Sequence, residues 1–191
     1  MLRQGNIEDF EAIVSINRAV TLDVDKLDDP DYRARVQQDG FLLPGELTVE
    51  TFQADLPGYI IAEEEGKILG YLCLHGYQSW ETQTIDAVDC LMPGWQSIYF
   101  AEPHAYIHKV AIDRESQSRG TATSLLREAE DQVRDREIPW LFSMIVISPV
   151  TNVSSMLFHE KNGFKRVVQT RPARAADLDG FANLLYGKRL D

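Results

Sequence analysis

Cysteine is scarce in this chain. Cys73 and Cys90 are two thiols among 191 residues, and neither sits in a C-x-x-C or a metal-ligand spacing, which argues against a disulfide framework or a cysteine-built metal centre and for reduced, structural cysteines. Long apolar runs are missing too. The first twenty residues already hold Arg3, Glu8, Asp9, Glu11 and Arg18, so neither a signal peptide nor a membrane span is expected, and a cytoplasmic location is. The third shortage is positive charge. Nineteen Lys and Arg stand against thirty Asp and Glu, a formal net charge of −11, and such a surface cannot release counterions from a nucleic acid. A neutral or cationic partner fits better. Serine triads, internal repeats and low-complexity tracts have no supporting pattern either.

What is present describes one ordinary domain. Hydrophobic residues make up 44% and charged residues 26%, enough for a buried core in a single unit spanning 1–191. Asn6 to Asp9 reads as a helix cap, followed by Ile7, Phe10, Ile13, Val14 and Ile16 at helical spacing. Pro30 opens a second helix that Pro44 and Gly45 end, and Thr48 to Asp55 offers another turn or two. Residues 58–75 read as a β-hairpin turning at Glu65-Gly66. A strand at 104–112, a helix at 120–136, a strand at 140–148, a helix at 152–162 closed by Gly163, and strands at 164–169 and 182–189 complete the pattern. A hairpin followed by alternating strands and helices predicts a mixed α/β fold with a partly parallel central sheet.

Two segments carry chemistry. Val110, Ala111 and Ile112 end an apolar strand that runs through a polar turn into a helix start, where Gly120, Thr121 and Ala122 are small. Free N–H groups at a helix start suit an anion, and small residues let a ligand approach the main chain. The second segment is 152–164. Asn152, Ser155 and His159 fall along one side of a helix at spacings of three and four, beside an apolar strip of Val153, Met156 and Leu157.

Together these segments resemble the two motifs of the GNAT superfamily of acyl-CoA-dependent N-acyltransferases. Gln117, Gly120 and Ala122 match Q-x-x-G-x-A of the pyrophosphate loop. Asn152, Ser155, His159, Gly163 and Phe164 follow N-x-x-A-x-x-x-Y-x-x-x-G-F, with Ser in place of the small apolar residue and His159 in place of the tyrosine. The order of elements extends the likeness over nearly the whole chain.

The resemblance implies a GNAT fold, with a splayed strand pair forming a cleft for acetyl-CoA, and no metal. Val110, Ala111 and Ile112 would bond the pantetheine arm. Gln117, Ser118, Arg119, Gly120, Thr121 and Ala122 would cradle the pyrophosphate, with Arg114 and Arg127 supplying further charge. Asn152 and Ser155 would line the cofactor. His108 stands where related enzymes carry a base, and His159 where the tyrosine gives a proton to the leaving thiolate. Against these roles stand a strand histidine satisfied within the sheet and a helix histidine that only lines the cleft. The implied reaction is direct transfer of an acetyl group to a primary amine on a small molecule or peptide in a ternary complex. A non-catalytic acyl-CoA-binding or regulatory module is the alternative, and a homodimer is left open. Residues 77–103 form an insertion with Tyr77, Trp80, Trp95, Tyr99, Phe100, Glu81, Asp86, Asp89 and Glu102 and neither Lys nor Arg. It reads either as a lid that attracts an amine or as a segment packing its own aromatics over the sheet or at a dimer contact.

Overall fold

The computed structural model describes residues 1–76, 85, 87–101, 103–117, 119–175 and 178–191. Local chemistry sets the element ends. The Asn6 side chain accepts from the Glu8 N–H at 2.8 Å, Asp9 accepts the Asn6 N–H at 2.8 Å, and the chain enters α1 (Phe10–Val20), which buries Ile13, Ile16 and Val20 at helical spacing. Asp29 caps α2 (Pro30–Asp39) by accepting from the N–H groups of Asp31 and Tyr32, and Gly40 ends it at φ +80. That left-handed conformation suits glycine, which carries no Cβ to clash. Thr48 caps α3 (Val49–Asp55).

The strands are β1 (Leu2–Gln4), β2 (Tyr59–Glu64), β3 (Lys67–Gly76), β4 (Ala87–Cys90), β5 (His104–Ile112), β6 (Trp140–Ser148), β7 (Lys165–Thr170), β8 (Ala173–Ala175) and β9 (Leu178–Arg189). They form a sheet in the order β1-β2-β3-β5-β6-β9-β7-β4, with β8 paired to β9. Among the described residues β5 and β6 are the parallel pair and the other pairs are antiparallel. The mixed, partly parallel sheet expected from the sequence is therefore the observed one.

Helices cover both faces. Leu125, Leu126, Ala129 and Val133 of α5 (Thr121–Asp135) pack on Ile60, Leu72, Leu74, Ile107 and Leu141, with Met156 and Phe158 of α6 (Val153–Lys161) beside them. On the opposite face α1 and α3 pack through Ile13, Ile16 and Phe52 onto Tyr59, Ile61, Tyr71 and Cys73. Strand alternation produces the two cores, since successive side chains point to opposite faces.

The segment 77–103 holds more structure than the sequence predicts. β4 and α4 (Trp95–Ala101) lie within it, and Trp95 and Tyr99 are buried against Tyr106, Trp140 and Phe142. These two aromatics pack over the sheet, while Phe100 and Asp89 are exposed. Tyr77, Trp80, Glu81, Asp86 and Glu102 lie outside the described residues. β4 gave no periodic signal because Val88, Asp89 and Cys90 are all exposed; it is held at the sheet edge by backbone pairing with β7. The last strand also starts earlier than expected, at Leu178 rather than residue 182, because it pairs with the short β8.

Candidate active site

The site begins where two neighbouring strands part. β5 pairs with β6 from His104 opposite Trp140 to Ile107 opposite Ser143. Beyond that point β5 keeps its pairing with β3 through Lys109, Val110, Ala111 and Ile112, while β6 keeps its pairing with β9. The two strands thus lean on different partners and a wedge opens between them. Alternate main-chain groups of a strand point sideways, so those of Lys109 to Ile112 on the β6 side face the opening. A cavity of about 750 Å³ fills the wedge, lined by Ile107–Ile112, Ser143–Val146, the starts of α5 and α6, and residues 38–45.

The start of α5 forms one end of this cavity. Gly120 is its N-cap at φ +82, no side chain among the described residues caps the helix, and its first turn holds no acidic residue. A Cβ on Gly120 would point into open space, with nothing within 4 Å. Three consequences combine here: first-turn N–H groups lack a capping side chain, the helix dipole favours negative charge, and the missing Cβ leaves room for a ligand at the main chain. Gln117, Thr121 and Ala122 line the cavity with Gly120. Arg119 instead lines a separate recess of about 240 Å³ with Lys67 and Glu115, and Arg114 and Arg127 are exposed. Ser118 lies outside the described residues. The loop before Gly120 is braced, with Lys67 Nζ 2.9 Å from both Asp113 and Glu115 and Ser116 buried.

Asn152 reaches the cavity wall, yet its polar atoms serve the protein. Its oxygen caps α6 by accepting from the Ser155 N–H at 3.1 Å, and its Nδ2 donates to the Phe41 carbonyl at 2.9 Å. The expected ligand contact is thus first a clasp, tying the segment after α2 to α6. Ser155 stands half-buried beside it, Oγ 3.5 Å from His159 Nδ1.

His108 occupies the point of divergence. β3 and β5 slip register between Cys73 and Leu74, so that Lys109 faces Cys73 and Ile107 faces Leu74, and His108 is the extra residue between them. Such a bulge re-aims a side chain. The ring keeps an exposed edge on the cavity, but close protein around it, with the charges of Lys109 and His75, lowers its pKa to about 4. It stacks on His75 with centroids 4.6 Å apart and planes at 13°.

His159 is 2% exposed, among the rings of Phe158, Phe164 and Tyr186. Its Nδ1 lies 2.7 Å from the Ser155 carbonyl oxygen, which can only accept, so Nδ1 carries the proton. Nε2 is buried and has no hydrogen-bond partner. Burial pushes the ring down to about 4, only partly offset by the Ser155 bond. The neighbouring carboxylate, Glu160, is turned to Arg166 at 2.6 Å and to the Tyr186 hydroxyl at 2.9 Å. The Nδ1–H of His159 is thus committed to the Ser155 carbonyl, and the residue lies on the cavity wall.

One grouping escaped the sequence reading. Asp55, Cys73 and His75 bring donor atoms within 4.8 Å of one another although the sequence separates Asp55 from the other two. Only α3 docking on β3 brings them together. No described helix is long and apolar enough to cross a membrane.

Comparison with known proteins agrees with this architecture. The family model of the Acetyltransferase (GNAT) family matches residues 21–164. No curated protein matches the chain. Among solved structures, yncA from Salmonella typhimurium, in complex with its cofactor acetyl-CoA, superposes with a TM-score of 0.64 at 18% identity over 100% of this chain and 94% of its own. Ribosomal-protein-alanine N-acetyltransferase from Brucella melitensis gives 0.64 at 16% identity over 99% of both chains. Naa20 from Chaetomium thermophilum, in complex with a bisubstrate analogue, gives 0.65 at 13% over 99% and 86%. At such identities the likeness is one of fold, and the family rests on the match over well more than half the residues. With the parted strands and the uncapped glycine start of α5 in the same region, the chain belongs to the GNAT family of acetyltransferases.

Proposed function

We propose that this protein transfers an acetyl group from acetyl-CoA to a primary amine by direct attack within a ternary complex. The observation that carries the reading is the opening of β5 from β6 beyond Ile107 and Ser143, with the uncapped start of α5 at one end and His108 at the point of parting. Acetyl-CoA, when bound, supplies the acetyl group as an activated thioester. In this reading the first-turn N–H groups of α5 from Thr121 hold the diphosphate, with Gln117 beside them. Lys109 to Ile112 bond the pantetheine arm as an added strand would, and a main-chain N–H there polarises the thioester carbonyl.

His108 takes the proton that the attacking amine must lose. A ring lowered to about 4 is neutral across the physiological range, so its accepting form is fully populated at neutral pH even though it is a weaker base than an ordinary imidazole. His159 forms an apolar wall with its N–H tied to Ser155. A thiol with an ordinary pKa of about 8.5 leaves readily as an anion near neutrality, so the chemistry does not require a side-chain acid.

The test has two stages. Acetyl-CoA binding is measured by calorimetry for the parent and for Gly120→Glu, which adds bulk and negative charge at the diphosphate end; the variant is expected to bind at least tenfold more weakly. Equal affinity would remove the diphosphate from that helix start. Thiol release from acetyl-CoA is then followed across a panel of amines. Release that depends on the amine supports transfer, and binding without any release would point to the acyl-CoA-binding module instead.

A further inference from the structure

We propose that His75, beside Asp55, is a positioning residue for His108, fixing the ring that receives the acceptor's proton. The proposal rests on the acetyl-transfer reading of the cleft. Its starting point is a mechanical need. A bulge re-aims the His108 side chain out of the regular strand pattern, so its direction depends on what packs against the ring. His75 supplies a flat surface for it, with ring centroids 4.6 Å apart and planes only 13° from parallel. His75 in turn lies beside the end of α3, its Nε2 3.4 Å from Oδ1 of Asp55, a proximity longer than a hydrogen bond, with side-chain exposures of only 14% and 33%. The order is thus helix end, β3 ring, β5 ring, cavity. One face of the His108 imidazole is closed by the stack while its edge stays on the cavity.

The groups around this pair are Asp55 from α3, Tyr59 from β2, Cys73 on β3 and Lys109 on β5. Cys73 is pushed up to about 12, chiefly by burial and further by the charge of Asp55, and so remains a thiol. Three donors within 4.8 Å are therefore a carboxylate, an imidazole and a neutral thiol, which suits an oriented pair beside a packed sulfur better than a metal centre.

The experiment compares parent, His75→Ala, His75→Phe, Asp55→Asn and His108→Ala for amine-dependent thiol release from pH 5 to 9, with acetyl-CoA affinity by calorimetry and the His108 ring followed by NMR. His75→Ala is expected to lower kcat about tenfold with acetyl-CoA affinity within twofold, because misplacing a reacting group costs rate rather than cofactor binding. His75→Phe keeps a ring for the stack and regains most of that loss. Asp55→Asn falls between the parent and His75→Ala. A purely structural role would lower acetyl-CoA affinity along with kcat and would not be rescued by His75→Phe. Parental kcat in His75→Ala together with loss in His108→Ala would sink the positioning role and leave the transferase reading intact. Activity removed by a chelator and restored by zinc would replace the pair with a metal site. No thiol release by the parent with any amine would sink both readings.

Discussion

At the scale of single residues, burial acts on His108 and His159 in the same direction and yields two different tools. Both rings are lowered to about 4 and are neutral near pH 7. His108 keeps an edge on the cavity and can accept a proton there, whereas His159 has its N–H on a carbonyl and its other nitrogen enclosed. The expected kinetics differ accordingly. His108→Ala should lower kcat about 10²-fold, a typical contribution of a positioned base, whereas His159→Phe, of similar size and already among aromatic rings, should stay within about threefold of the parent. A loss for His159→Phe as large as that for His108→Ala, measured at saturating substrates, would return the acid role to His159.

At the scale of elements, the cleft depends on how its walls are tied. Asn152 caps α6 and also donates to the Phe41 carbonyl 111 residues away in sequence, in buried surroundings. Gly40 packs against the same helix start, where an added Cβ would lie 3.4 Å from Asn152 Oδ1 and from Ser154. Asn152→Ala therefore removes a cap, worth about 1 kcal/mol, and strips a buried carbonyl of its donor, worth about 1 kcal/mol more. Urea unfolding should show a loss of about 2 kcal/mol; a change under half of that would mean that water or a neighbour replaces the bond to Phe41. The helix starting at residue 152 was legible from the sequence, but the spacing put Asn152 on its ligand side and not at its cap. The bond to Phe41 was not legible, since nothing local connects residue 152 to the loop after α2. The same holds for β4, whose exposed residues carry no alternation, and for the Asp55 and His75 pair.

At the scale of the whole molecule, the two lowered histidines couple folding to pH. An unfolded chain titrates them near 6.5 and the folded one near 4, so between those values the unfolded state binds more protons, and stability rises with pH through that window and is lost as pH falls through it. Asp9 acts in the same sense at lower pH: burial would raise it, but Arg3 and the Asn6 N–H hold it below the ordinary carboxylate range. The urea midpoint should therefore climb from pH 4.5 to 6.5 and level off above, and His159→Phe should flatten the climb; an unchanged slope in that variant would remove His159 from the linkage. The order of helices and strands outside β4, α4 and β8, the glycine start of α5, the small residues around it and the family itself were determined along the chain, because caps, turns and apolar periodicity act within a few residues. The length of the β5–β6 pairing, the bulge that turns His108 outward, the enclosure of His159 and the meeting of Asp55 with His75 were decided only by tertiary structure. Those features depend on which neighbour each strand pairs with and on how much solvent is removed from each ring, and both are set by segments distant in sequence.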